Sequence, residues 1–266
     1  MPGHHAAPTR QRSGVRLDQL LVEQGLAASR TTARRMIEAG RVSYLGETQS
    51  KPAQELPADA ALQVVADGSE RYVSRGGLKL AGALAHSGLD VSGWDCLDVG
   101  QSTGGFTDCL LQAGAAQVVG VDVGHDQLHT RLRGNPRVSC LQHINCRTLT
   151  REDLGIAMPR SKFDLIVADL SFISLTLVLP QLPPLLKLAG EMLLLVKPQF
   201  EVGPQGIGKG GLVRDPALYV EVEAKLRQCA ADLHLRVLDW FDSPITGGDG
   251  NREFFLRLEH ENRTLD

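Results

Sequence analysis

Residues 96–106 read Cys-Leu-Asp-Val-Gly-Gln-Ser-Thr-Gly-Gly-Phe: an apolar stub, an acid, then a turn rich in glycine and small hydroxyls. Glycines let a backbone approach a ligand closely, and the turn opens a stretch, Phe106 to Ala113, that reads as a helix. A second apolar run, Gln117 to Val121, ends on Asp122, placed where an acid can accept hydrogen bonds from ribose hydroxyls. Two later runs also end on charged residues, Phe163–Ala168 on Asp169 and Glu191–Val196 on Lys197. Lys79 falls on a helix just before the first strand, in Tyr-Val-Ser-Arg-Gly-Gly-Leu-Lys-Leu, and Glu253 falls in the last strand. Singly, each has an ordinary reading: a strand-end Asp caps the next helix, a strand-end Lys reaches solvent, a strand Glu sits on the surface. Jointly they matter more, because strand ends at the carboxyl edge of a parallel sheet converge on one ligand crevice.

The glycines do not follow G-x-G-x-x-G, so the dinucleotide fingerprint is absent. A cofactor without a pyrophosphate, S-adenosylmethionine, suits the turn better, and the gap from Asp98 to Asp122 fits the first two strands of a methyltransferase. The same string is also ordinary punctuation between a strand and a helix. It contains G-x-S-x-G at Gly100–Gly104, the nucleophile-elbow string of hydrolases, with Asp169 and His234 downstream in the matching chain order. Against that reading, an elbow follows several strands of a hydrolase sheet, whereas here a basic module and a linker precede it.

These residues need a scaffold that alternates strands and helices. Expected strands are Asp95–Val99, Gln117–Val121, Val138–Gln142, Phe163–Ala168 and Glu191–Val196. Expected helices include Ser174–Lys187 and Pro216–Leu233. Arg236–Asp242 and Glu253–Leu258, joined across a glycine-rich turn, close the chain as an antiparallel pair. The fold class is α/β: a doubly wound Rossmann-like methyltransferase sheet, mostly parallel with an antiparallel last strand, behind a small α+β domain. At 266 residues the chain suits one medium and one small domain, and 42% hydrophobic with 22% charged residues is a globular composition. No apolar run has the length of a membrane span. Five cysteines without a C-x-x-C pair point to reduced thiols in a cytoplasmic protein and no metal site.

The net charge of −3 hides a basic segment: residues 10–51 carry eight Lys/Arg against four acids. Val15–Val22 has helical apolar spacing. Ser29 is a good N-cap for a second amphipathic helix, Gly40 ends it, and Arg41–Gly46 and Ala61–Val65 read as strands. This stretch, RLDQLLVEQGLAASRTTARRMIEAGRVSYLG, resembles the S4-type RNA-binding domain. The resemblance implies Arg30, Arg34 and Arg35 on one helix face against RNA phosphates, with Arg16 and Arg41 as further RNA-binding residues; without it, the segment is a solvated basic helix. The expected division is a disordered lead at 1–13, the S4-type domain at 14–67, a linker at 68–73 and the catalytic domain at 74–260.

YVSRGGLKL, DVGQSTGGFTDCLLQAGA, DLSFISL, LVKPQFEVG and GKGGLVRDP together resemble the TlyA family, hemolysin-labelled ribose 2′-O-methyltransferases of ribosomal RNA whose catalytic domain is similar to the FtsJ-type enzymes. The sequence departs from the family wording at Gln101, at His125 and Asp126, and in the segment around Asn145. The resemblance implies S-adenosylmethionine as cofactor, ribosomal RNA or ribosomal subunits as partner, and a catalytic set of Lys79, Asp169, Lys197 and Glu253. It further implies that Gly100, Ser102, Gly104, Gly105 and Phe106 line the methionine end. Asp98 then fixes the turn or meets the methionine amine, Asp122 takes the ribose, and Asn145 flanks the adenine.

Methylating a ribose hydroxyl requires removal of its proton. A free lysine has a pKa of about 10.4, so only about one in a thousand is neutral at about pH 7.4, and the site must help Lys197 act as general base. The carboxylates orient the lysines, or charged Lys79 stabilises the developing alkoxide while Lys197 takes the proton. Gly203–Arg214 is a candidate substrate loop or a plain surface loop. The rival functions are a non-catalytic RNA-binding or ribosome-assembly factor, the hydrolase above, and a membrane-active hemolysin.

Overall fold

The computed structural model describes residues 14–27, 29–65 and 71–262. The expected lead at 1–13 and half of the expected linker, 68–70, lie outside them. The chain divides into two compact units between residues 67 and 68.

The first unit contains β1 (Val15–Arg16), α1 (Leu17–Glu23), α2 (Arg30–Glu38), β2 (Val42–Tyr44), β3 (Glu47–Thr48), β4 (Glu55–Leu56) and β5 (Leu62–Val64). Ser29 caps α2 as expected, its Oγ accepting the Thr32 N–H at 3.2 Å. The expected helix from Val15 begins two residues late, because Val15 and Arg16 pair antiparallel with Leu56 and Glu55. Leu17, Leu20, Leu21, Ala33, Met36 and Ile37 recur at helical spacing and form a small separate core.

The second unit contains α3 (Gly76–Ser87), β6 (Asp95–Val99), α4 (Gly105–Gln112), β7 (Gln117–Val121), β8 (Val138–Leu141), α5 (Arg151–Leu154), β9 (Phe163–Ala168), β10 (Leu186–Val196), α6 (Pro198–Glu201), α7 (Pro216–Asp232), β11 (Leu235–Asp242) and β12 (Phe254–His260). One seven-stranded sheet runs in the order β11-β12-β10-β9-β6-β7-β8. Only β12 is reversed, pairing antiparallel with β10 on one side and β11 on the other. Both faces of the sheet are covered, so the strands are apolar on both sides. Alternate residues serve two cores. Leu97, Val99, Ile166 and Leu194 share one core with Val178, Leu182 and, on α7, Val222 and Leu226, while Cys96, Leu165, Val167, Leu193 and Phe255 share the other with Leu80 of α3 and Leu110 of α4.

The expected helix at 174–187 does not form. Three short 3₁₀ turns, Leu175–Leu177, Leu179–Gln181 and Pro183–Leu185, replace it, and Leu186 already begins β10. Pro180, Pro183 and Pro184 each remove a backbone donor and crowd the preceding turn. The apolar rhythm survives, since Leu175, Val178, Leu179, Leu182 and Leu185 are all buried. Glu253 stands one residue before β12 rather than within it.

Phe255 is fully buried in a strand with partners on both sides. Phe255→Ala is expected to cost about 3–5 kcal/mol by leaving a cavity the sheet cannot close. Urea denaturation measures this, and a loss under about 1 kcal/mol would show that the core repacks freely.

Candidate active site

The carboxyl ends of β6, β7, β9 and β10 bring the acids and Lys197 to one edge of the sheet, as parallel pairing requires. At the end of β6 the chain turns through Gly100 with φ of +85°. A Cβ built there would lie 2.8 Å from the Asp169 carbonyl oxygen, so both backbone conformation and space call for glycine. Gly105, the first residue of α4, is similarly crowded: a Cβ would lie 2.1 Å from Ser74 Oγ. The turn therefore packs directly against the segment after β9 and the segment before α3.

Asp98 is buried beneath this turn. The Thr107 hydroxyl donates to its Oδ2 at 2.6 Å, and Gln101 Nε2 donates to Thr107 Oγ1 at 2.9 Å. Oδ1 has no hydrogen-bond partner. Burial pushes the carboxyl up to about 7, against the opposing effect of the Thr107 hydrogen bond. Asp122 accepts the Ser102 N–H at 2.8 Å on one oxygen and the Gly124 N–H at 2.7 Å on the other, which fixes the carboxylate and leaves each oxygen a free lone pair. Asn145 Oδ1 caps the 3₁₀ turn Cys146–Thr148 by accepting the Arg147 N–H, which leaves its amide nitrogen for other work.

The four residues of the expected catalytic set form two ion pairs. Lys79 Nζ lies 2.6 Å from Glu253 Oε2, with both side chains nearly inaccessible, and Lys197 Nζ lies 2.6 Å from Asp169 Oδ1. Lys197 also donates to Ser171 Oγ at 2.9 Å. Burial raises the Glu253 carboxyl above the usual carboxylate range, and Lys79 beside it opposes that shift.

Three cavities adjoin along this edge. A cavity of about 160 Å³ has Asp98, Gly100, Gly105, Phe106, Asp169 and Lys197 on its walls. A second, of about 450 Å³, continues past Gly100 and Ser102 to Asp122 and Asn145. A third, of about 460 Å³, has Lys79, Lys197, Glu253, Phe172 and Phe200 on its walls. Lys197 borders both the first and the third. Gly104 does not border these cavities: it is the left-handed N-cap of α4 and packs against Leu128 and Leu132.

Several contributors escaped the sequence reading. Ser171 and Ser74 are small hydroxyl residues in loops, with no spacing that singles them out. Phe172 carries a signal only in three dimensions, a phenyl ring 91% exposed on a backbone with φ of +62°, 5.1 Å from the Phe200 ring. Glu201, on the short α6, accepts the Ser174 hydroxyl at 2.6 Å and the Leu175 N–H at 2.7 Å and pairs with Lys225 at 2.9 Å. It thereby ties the segment after β9 to the turn after β10. The hydrolase constellation does not assemble. Ser102 Oγ bonds Gln127, and His234 precedes β11 at the opposite sheet edge, exposed beside Glu261.

In the first unit Arg16, Arg30 and Arg34 gather around the buried Asp18. Arg34 follows Arg30 by one helical turn, whereas Arg35 is exposed about 100° further round the helix, so the three do not share a single face. The Arg41 Nε donates to the Val65 carbonyl at 2.9 Å.

This sheet, with its glycine turn and strand-end acids, is that of a methyltransferase. An FtsJ-like methyltransferase family model matches residues 72–260, and an S4 domain model matches residues 15–60. The chain is 45% identical over 244 residues to the 16S/23S rRNA (cytidine-2′-O)-methyltransferase TlyA of Mycobacterium tuberculosis, covering 92% of this chain and 89% of that one. It is 35% identical to Hemolysin A of Brachyspira hyodysenteriae, covering 92% and 99%. A solved structure of a candidate hemolysin from Streptococcus thermophilus superposes with a TM-score of 0.72 at 39% identity, covering 94% of this chain and 90% of that one. The chain belongs to the TlyA family of methyltransferases. Among the described residues no helix is long and apolar enough to cross a membrane.

The Lys79–Glu253 pair is nearly out of water, so removing one partner strands the other. Glu253→Ala is expected to cost about 3–5 kcal/mol of stability, and Glu253→Gln less. Chemical denaturation of both variants checks this; equal losses under about 1 kcal/mol would mean that the pair is solvated.

Proposed function

We propose that this protein transfers a methyl group from S-adenosylmethionine to a ribose 2′-hydroxyl of ribosomal RNA, with Lys197 as the general base. The observation that carries the reading is that Lys197 stands between the two cavities: one fits the methionine end of the cofactor, and the other is large enough for a nucleotide.

The residues present suit the cofactor. Its methionine end carries an ammonium, and Asp98 at the base of the first cavity has an oxygen without a partner. The N-terminus of α4 carries no side-chain cap, so its backbone N–H groups suit a carboxylate. Gly100, Ser102, Gly105 and Phe106 would hold the methionine portion, Gly104 would shape the turn from beneath, Asp122 the ribose and Asn145 the adenine edge. When bound, the cofactor supplies an electrophilic methyl on a sulfonium.

The chain's own part is to orient and deprotonate. Asp169 and Ser171 fix the Lys197 side chain, and in its amine form Lys197 takes the hydroxyl proton as the oxygen attacks. Lys79, paired with Glu253, offers positive charge to the oxygen as it loses that proton. Phe172 and Phe200 present aromatic faces on which an unpaired base can stack. The relatives named as rRNA (cytidine-2′-O)-methyltransferases support the substrate class, and Arg16, Arg30, Arg34, Arg35 and Arg41 supply the charge for RNA phosphates.

Lys197→Ala is expected to lower methyl transfer to ribosomal subunits about 10²–10⁴-fold while the affinity for S-adenosylhomocysteine changes little. Full activity in this variant would overturn the assignment.

Cofactor affinity should also depend on pH through Asp98. Its folded carboxyl titrates at about 7, above the usual value, so between pH 4 and 7 the folded state binds the extra proton and the free protein loses stability as pH rises. The α-ammonium of a ligand held against Asp98 prefers the ionised form. S-adenosylhomocysteine should therefore bind about tenfold more tightly at pH 8 than at pH 6, and Asp98→Asn should flatten the profile. Calorimetric titration at both pH values checks this, and an unchanged pH profile in Asp98→Asn would contradict it.

A further inference from the structure

Asp18 has a place that the site described so far does not use. It sits in the first turn of α1 with none of its surface exposed. A carboxylate taken so far from water needs strong partners. It has three, drawn from two elements. Arg16 grips it with two hydrogen bonds of 3.1 Å, from Nε to Oδ1 and from Nη2 to Oδ2. Arg30 donates from Nη2 to Oδ2 at 2.9 Å, and Arg34 Nε lies 3.8 Å from the same oxygen. The Arg16 guanidinium first, then Arg30, holds the carboxyl down to about 2, so it stays ionised at any physiological pH.

The three guanidinium groups would repel one another at this spacing without a negative charge among them. With it, the cluster keeps a net charge of two positives. Its outer surface is open, because the Arg16, Arg30 and Arg34 side chains remain 38%, 58% and 58% exposed. A guanidinium has five N–H donors in a fixed fork, and Asp18 uses at most two from each. The donors that Asp18 does not use belong to side chains that stay partly exposed while the carboxylate holds them together. Ordering free arginines on binding costs conformational entropy, and this arrangement meets part of that cost before the ligand arrives.

We infer that Asp18 is a positioning residue that assembles Arg16, Arg30 and Arg34 into a preformed clamp for the sugar–phosphate backbone of RNA. The inference rests on the proposed RNA substrate and goes beyond it. The clamp reads no base, since phosphate contacts fix register rather than sequence. It depends on geometry as well as on charge, and this separates it from a basic surface patch.

Charge and geometry predict opposite signs for one substitution. Asp18→Asn removes a negative charge beside the arginines. By charge alone, it should bind RNA more tightly and with a steeper salt dependence. If Asp18 positions the clamp, the folded variant should bind about tenfold more weakly. The experiment is filter binding of the full-length protein to transcribed 16S and 23S rRNA across a potassium chloride series, with thermal unfolding of each variant alongside. Arg34→Ala made in the Asp18→Asn background should then cost less affinity than in the wild type. Equal or tighter binding by folded Asp18→Asn overturns the inference.

Should Asp18→Asn fail to fold, Arg16→Lys gives the second test, because it keeps the charge and loses the fork. The inference expects severalfold weaker binding, and unchanged affinity overturns it. A wild type that binds neither RNA refutes the RNA reading itself, and the inference with it; the two failures are therefore distinguishable.

Discussion

The approach of two strand ends governs the catalytic unit. After β6 the backbone turns at Gly100 so close to the Asp169 carbonyl that no side chain fits between them. That contact holds the glycine turn and the segment after β9 in one geometry. Asp169 then reaches Lys197 at the end of β10, and the walls of the neighbouring cavities follow from those two positions. Glu201 and Lys225 secure the same segment from the other side, through Ser174 and Leu175. Because an Asp or Lys at a strand end can swing widely, a rigid backbone beneath it sets the difference between a positioned group and a surface charge.

Electrostatics in both units follow one pattern, in which a charge with little access to water is held by an opposite partner. Asp18 organises three arginines, Glu253 secures Lys79, and Asp169 secures Lys197. Asp98 differs: it has a hydroxyl for a partner instead of a cation, and burial pushes it up towards neutrality. A buried acid without a cation is a fitting place for a cationic ligand, and on the proposed reading the cofactor supplies the missing charge.

Much of this was legible in the residues. The strands β6, β7 and β9 lie where the apolar runs placed them, because both-face burial makes such runs short, continuous and bounded by turns. The basic segment was legible as helix, cap and strand. The stretch 174–187 was not, because its apolar spacing is helical and only its prolines tell against an α-helix. For the site, the charged residues were legible because acids and lysines at strand ends are conspicuous. Their pairing was not, since Lys79 and Glu253 lie far apart in the chain and nothing local links them. Phe172 looks like a core residue in sequence, and only its exposure and backbone strain mark it out. The role of Asp18 was hidden for the opposite reason: an acid in the first turn of a helix is ordinary, and only its burial among three arginines is not.

The central claim is that the methyl group goes to a ribose oxygen. The most direct measurement incubates purified small and large ribosomal subunits with methyl-labelled S-adenosylmethionine and the protein, then hydrolyses the extracted RNA in alkali. A 2′-O-methyl blocks cleavage at its own nucleotide, so the account predicts that the label appears in alkali-stable dinucleotides. Label released as mononucleotides would place the methyl on a base and contradict the account.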